Sequence, residues 1–307
     1  LPTFETVGLA RFIAGLPHGA YFGIGALVAS DVLGPGKRAK GVAFILTGLT
    51  IANVVGVPAG TYLGQHVGWR SAFLVVTIVF ALATVCIAFF VPQHEGDPGR
   101  TFRAELRVFR RPQVWFALAT GAIGFGGFFA VYSYIAPVVT ERAGAAEWMV
   151  PITLVVFGLG MTVGNLLGGV FGDRNLRLTL LVGLGAMAVV LVLLAILSFS
   201  IWLLVPLSFI MALLSSILSP AIQTRLMEVA GDNQSIAAAL NHSALNIGNS
   251  LGAFLGGLVI AWGWGFAAPS WVGAGLAVLG LGIAIASYAV QRRYHTETGS
   301  VRVRDLA

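Results

Sequence analysis

The sequence predicts an all-α polytopic membrane protein. Three observations predict it: a scarcity of charge, apolar segments of bilayer length, and basic residues gathered in alternate connectors. Only 10% of the 307 residues are charged and 57% are hydrophobic, with a mean hydropathy of +0.90. A soluble domain carries about 25% charged residues to wet its surface. This surface therefore faces lipid. Glycine, at 40 of 307 residues, exceeds the roughly 7% of average usage and shows no Gly-X-Y period. In apolar helices such small residues let backbones approach closely.

A bilayer-crossing helix needs about 20 mostly apolar residues. Nine segments qualify: 7–30, 41–64, 72–92, 113–138, 150–171, 178–197, 201–223, 235–262 and 269–290. Each reads as a helix, because only a helix satisfies its own backbone in lipid without a partner strand. Alternate connectors carry Lys37, Arg38 and Lys40; Arg100, Arg103, Arg107, Arg110 and Arg111; Arg174 and Arg177; and Arg225. With Arg292, Arg293, Arg302 and Arg304 in the tail, 15 of the 18 basic residues share one side. That side is the cytoplasm, which places the C-terminus inside and makes this a multi-pass protein of the plasma membrane.

The longest connector, "PQHEGDPGRTFRAELRVFRRP" (92–112), divides the chain. The expected organisation is three helices over 1–92, a basic cytoplasmic linker over 93–112, a six-helix bundle over 113–291 and a tail over 292–307. The linker's "TFRAELRVFRR" either lies on the membrane surface or is a solvated basic strap. Six spans form one half of a two-bundle protein built from repeated halves, so three spans are expected ahead of the first visible one. The opening "LPTFETVG" lacks an initiator Met, a charged start and a cleavage site, and reads as the interior of a longer protein.

Several function classes fall away. The +6 net charge is spread over short loops without an aromatic-interleaved patch, so no nucleic-acid partner is expected. A single cysteine, Cys86, supports neither a disulfide framework nor a zinc site. No metal site is expected. No G-x-x-x-x-G-K-[ST], H-E-x-x-H or G-x-S-x-G occurs, so neither an ATPase nor an intramembrane enzyme is expected.

Four stretches carry polar chemistry. "GGVFGDRNLR" (168–177) places Asp173 just past a helix end beside Arg174 and Arg177, where the guanidiniums can pair with it or with neighbouring helix ends. It is either a gate or a topological marker. In "ARFIAGLPHGAYFG" (10–23), Arg11 lies a turn inside the first span, with Gly15 and His18 on the same helical face. Arg11 either faces a central cavity or snorkels to the outer headgroups. In "GLTIANVVGVPAGTYLGQHVGWRSAF" (48–73), Gly48, Ala52, Gly56, Gly60 and Gly64 recur every four residues with Pro58 among them, a stripe for close helix contact. In "NHSALNIGNSLGAFLGG" (241–257), His242, Asn246 and Asn249 share one face, beside a small face of Ala244, Gly248, Gly252 and Gly256. One edge is expected to line a cavity and the other to pack. Asn53, Asn165, Gln223 and Tyr132 or Tyr134 are weaker candidates.

These motifs resemble those of the major facilitator superfamily, in its drug/proton antiporter branch, among arabinose-efflux-like and chloramphenicol-efflux-like exporters. The family's loop after the second span of each half reads roughly G-x-L-a-D-R-x-G-R-R. Gly169, Asp173, Arg174 and Arg177 match it, while Phe171, Leu176 and Leu178 depart from it. Arg11 and Gly15 are similar to the family's R-x-x-x-G of span four. Gly56 and Gly60 fit its span-five motif, in which Ala52 and Thr61 replace glycines and Pro58 is displaced by one. The nine segments would then be spans 4–12 of a two-bundle fold. The resemblance implies a monomeric secondary transporter that exports a small organic molecule, with the proton gradient in place of a cofactor. A symporter or sugar exporter of the same fold is the alternative. Implied pathway residues are Arg11, His18, Asn53, Tyr132, Asn165, His242, Asn246 and Asn249; implied gating charges are Asp31, Asp173, Arg174 and Arg177. No carboxylate lies mid-span, Glu5 and Asp31 coming nearest. The proton would be carried by a histidine, by one of these two, or by the expected upstream spans.

Overall fold

A computed structural model describes residues 3–15, 21, 25, 28, 32, 48, 51–91, 106–231 and 234–304, and the side chains of all of these except 53, 106, 234, 235, 238 and 293–304. Ordered structure among them is entirely helical. It falls into two compact units, Leu1–Ala104 with Pro151–Gly158, and Glu105–Val150 with Leu159–Ala307.

In the first unit, α1 (Phe4–Gly15) starts at Thr3, whose Oγ1 accepts from the Thr6 amide at 3.3 Å. A π-helical turn (Ala52–Gly56) leads into α2 (Val57–His66). Gly68, at φ 104, turns the chain into α3 (Trp69–Phe90). Ser71 Oγ donates to the Gly68 carbonyl at 2.7 Å, which braces that turn. Along α3 the apolar side chains, Val75 and Ile78 to Phe89 among them, are exposed.

The second unit begins with a 3₁₀ turn, Leu106–Arg110. Val108 in it is 0% exposed and packs with Val114, Ala117, Leu226 and Ala230. The end of the expected linker is thus a docked plug, because the apolar residue of "RVFRR" has a pocket to enter. The expected span 113–138 is not one smooth helix. It consists of α4 (Pro112–Ala119), a π-helical turn (Thr120–Gly124) and α5 (Gly126–Tyr132), followed by α6 (Ile135–Pro137) and a second π-helical turn, Val138–Arg142. Tyr134, at φ −117 and ψ 20, breaks the helix.

Next comes α7 (Met149–Leu197), helical but for Asn175 at φ −160 and ψ 89. That one residue separates the two expected spans 150–171 and 178–197. Asn175 Oδ1 accepts the Leu178 amide at 3.0 Å, capping the second helix where its first amides have no partner of their own. Then follow α8 (Ile201–Ala230), α9 (Gln234–Ala261) and α10 (Ala268–Arg304). Among the described residues six helices are long and apolar enough to cross a membrane, α7 being one helix of 49 residues with the break inside it.

Apolar burial drives little helix association within lipid, so close packing must hold this unit together. α5 lies between α9 and α10. A Cβ built on Gly127 would stand 2.6 Å from the Gly273 carbonyl oxygen, and one built on Gly252 would collide with that of Gly126. Hydrogen is the largest substituent either contact admits. A stripe of Leu184, Met187, Leu191 and Leu194 on α7 is buried, with Leu184 and Leu191 closing over Gly124 and Gly127. Exposed Trp148, Trp202, Trp262, Trp264 and Trp271 sit at or beside the connectors expected outside, as interfacial aromatics do.

Candidate functional site

The "GGVFGDRNLR" motif falls at the break in α7. Asp173 and Arg174 are exposed, and neither makes an ion pair among the described residues. Thr179 Oγ1 donates to the Phe171 and Asn175 carbonyls at 2.8 and 2.9 Å, lacing the elbow across Asp173 and Arg174. Arg177 lies over the Tyr288 ring of α10 at 5.3 Å, within cation–π reach. The motif therefore presents one carboxylate and one guanidinium outward and ties the other guanidinium to a neighbouring helix.

On α9, His242 and Asn249 are half-buried and Asn246 is exposed. Asn246 Nδ2 donates to the His242 carbonyl at 2.8 Å, one turn back on its own helix. Asn249 Oδ1 is buried without a partner. The small face beside them packs on α5 and the preceding π turn, with Gly248 against Ala122 and Gly256 against Ala130 and Tyr134. Asn241, which pattern reasoning passed over, is 1% exposed, and both its amide atoms are buried without a partner. It directly precedes His242 and could have been found as the polar residue falling on the packed edge rather than on the stripe.

The remaining candidates fall in both units. Arg11 is exposed, with its guanidinium 5.0 Å from the Phe73 ring centre on α3. His18 and Asp31 lie outside the described residues, as does the side chain of Asn53. Asn165 is exposed and Tyr132 half-buried, the latter stacked on Phe128 at 5.3 Å. Tyr134 donates its hydroxyl to the Ala253 carbonyl at 2.7 Å, a packing contact with α9. Of the stripe on α2, Pro58 is buried. A Cβ at Gly48, Gly60 or Gly64 would meet no described neighbour within 4 Å, and one at Gly56 would meet only Ala52. Glu5, fully exposed, is held below the usual carboxylate range by hydrogen bonds from its own amide and from the Thr3 side chain. It is ionised at neutral pH.

The sequence marked Arg225 only as a basic residue of a connector. The structure buries it, because α8 runs on to Ala230, past the expected end at 223. Arg225 is 5% exposed. Its Nη2 donates to Gln291 Oε1 at 2.7 Å, Ser287 Oγ at 3.2 Å and Gln113 Oε1 at 3.4 Å. Nη1 stands 3.5 Å from Glu228 Oε2, and the guanidinium lies 4.4 Å from the centre of the Tyr288 ring. Ser287 Oγ donates to Gln113 Oε1 at 2.7 Å, and Gln113 Nε2 to the Ser287 carbonyl at 3.1 Å. The start of α4, the last turns of α8 and the interior of α10 are thereby joined. At the opposite end Arg142 donates to Ser198 Oγ at 2.6 Å and to the Ala195 carbonyl at 2.8 Å.

Known proteins resemble this chain in sequence and in fold. The family model of the Major Facilitator Superfamily matches residues 1–157 and 144–305. The inner membrane transport protein YdhP of Escherichia coli K12 is 35% identical over 289 residues, 91% of this chain and 72% of that protein. The chloramphenicol resistance protein of Streptomyces lividans is 27% identical over 286 residues, 92% of this chain and 73% of that protein. The crystal structure of the E. coli fucose:proton symporter FucP superposes with a TM-score of 0.54 at 16% identity, over 93% of this chain and 79% of that one. That likeness speaks to fold alone. Its helices built for lipid and its sequence matched from end to end, the chain belongs to the Major Facilitator Superfamily and is a multi-pass membrane transporter, not an enzyme.

Proposed function

We propose that the protein is a secondary transporter of the plasma membrane that exports a small organic molecule in exchange for protons. It would work as a monomer with no cofactor beyond the proton gradient, its nine spans arranged in two bundles that rock about a midplane site. The observation that carries the export reading is the 27% identity, over 92% of this chain, to a protein named for chloramphenicol resistance. Its geometric support is the elbow at Asn175, where Asp173 and Arg174 stand exposed at the end of a membrane-length helix. In this reading the two charges hold the bundles closed at the cytoplasmic end in one state and release them in the other. Arg11, His18, Asn53, Tyr132, Asn165, His242, Asn246 and Asn249 supply the polar groups of the pathway.

Solute–proton symport is the second reading, favoured by Ala52 and Thr61 standing where the antiporter pattern has glycines. The test is a solute panel on the protein in proteoliposomes under an imposed pH gradient. Exchange predicts that protons and solute move in opposite directions; co-movement establishes symport. Loss of all gradient dependence would end both readings. Asp173→Asn and Arg174→Ala are each expected to lower transport while leaving membrane expression near wild type. Wild-type rates with both would reduce the loop to a topological marker.

A further inference from the structure

We propose that the second unit carries a binding site for a phosphate-bearing anion at the end where α4 begins, distinct from the transport pathway. An open recess of about 730 Å³ lies there, lined by Arg110, Arg111, Gln113, Arg225, Glu228 and Gln291 among others. Among the described residues three guanidiniums face one carboxylate there, which makes the recess cationic.

The three arginines are not equivalent. Arg225 forms the floor: it is buried, and its hydrogen bonds to Gln291, Ser287 and Gln113 hold it in place whether or not anything enters. Glu228 leans on that same guanidinium, which spends the local negative charge on the floor. Arg111 is exposed and uses one nitrogen, donating from Nη1 to the Val229 carbonyl at 3.3 Å. That carbonyl belongs to the last turn of α8, where cations are favoured. The chain beyond α8 fits closely around it: a Cβ on Gly231, itself at φ +62, would stand 2.6 Å from Arg111 Nη1. Arg111 is thus aimed, with donors to spare. Arg110, also exposed, meets no acceptor among the described residues. The N-terminus of α4, at Pro112 and Gln113, opens onto the same space and adds a favourable field for an anion.

Guanidinium forks suit phosphate oxygens, which accept paired N–H donors. Basic pockets between helices on the cytoplasmic side suit phospholipid headgroups. The phosphate could come from an anionic lipid of the adjoining leaflet or from free phosphate, the shared chemistry being a phosphate oxygen cluster between two outer arginines.

The test is native mass spectrometry of the purified full chain, titrated separately with phosphatidylglycerol, phosphatidylcholine and inorganic phosphate. Phosphatidylglycerol retained over phosphatidylcholine assigns the site to lipid; phosphate adducts with no preference between the lipids assign it to the free anion. In either case Arg110→Gln with Arg111→Gln should weaken binding, by roughly fivefold per arginine on the scale of one surface cation. Arg110→Lys with Arg111→Lys should recover most of it. Arg110→Gln alone, at a side chain that touches no described acceptor, leaves the fold intact and should still show its share of the loss. Absence of both lipid preference and phosphate adducts overturns the proposal. So does binding that the glutamine variants leave unchanged.

Discussion

Replacing Arg225 by methionine tests whether the polar cluster holds three helices together. The substitution keeps the bulk and removes every donor. Two of the lost hydrogen bonds lie within the ordinary range, to Gln291 at 2.7 Å and Ser287 at 3.2 Å, and hydrogen bonds to a charged group contribute about 1.5–3 kcal/mol each. The contact with Glu228 adds little, since that side chain is 53% exposed and exposed ion pairs contribute about 0–1 kcal/mol. Against the loss stands relief from burying the guanidinium, so the net cost is about 3 kcal/mol. For a unit of this size that is a fall of roughly 6–12 °C in Tm, read by fluorescence-detected size exclusion in detergent. Arg225→Lys should keep at least half of the deficit, because one ammonium cannot serve Gln291, Ser287 and Gln113 together or stack on Tyr288. A methionine variant that melts within about 2 °C of wild type would show that the cluster does not secure these helices.

Three further substitutions probe other joints. Gly252→Val should cost about 1–3 kcal/mol as an overpacked contact, since even a Cβ there collides with the Gly126 carbonyl; a thermal shift matching that of Gly282→Val, where a Cβ meets nothing within 4 Å, would contradict the close approach. Arg142→Ala removes donors from Ser198 and Ala195 and is expected to lower stability by about 1.5–3 kcal/mol, seen as earlier proteolysis of the nearby connector. Asn175→Ala deletes the cap on Leu178 and should cost about 0.5–2 kcal/mol, with Asn175→Gly losing only a few tenths; equal melting of the two variants would remove the cap from the account.

Much of the fold was legible because lipid constrains it so tightly. Segment length located the six membrane-length helices among the described residues, and the polar "GDRNLR" marked the break inside α7 to within a few residues of Asn175. The small face of α9 was legible from its period of four. Its partner was not, since periodicity names a face and never the helix across from it; that α5 meets Gly248, Gly252 and Gly256 is a matter of tertiary register. Arg225 was misread for a related reason. Near a span end, an arginine that marks topology and one that is buried by neighbours look alike, and only Gln113 and Gln291, 112 and 66 residues away, distinguish them. The π turns at 120–124 and 138–142 left no mark in hydropathy, which counts apolar residues and not the hydrogen-bond offset between them.

The bedding of α5 has a mechanical consequence. Where it meets Gly252 and Gly273, carbonyl oxygens rest against bare α-carbons, the setting for weak C–H···O contacts, and Leu191 and Leu276 close over the edges of the seam. Axial slippage of this rod would therefore drag backbone past backbone at the glycines and require only the few side chains at the edges, Leu191 and Leu276 among them, to adjust. Spreading the rods apart would strip away every one of those contacts at once.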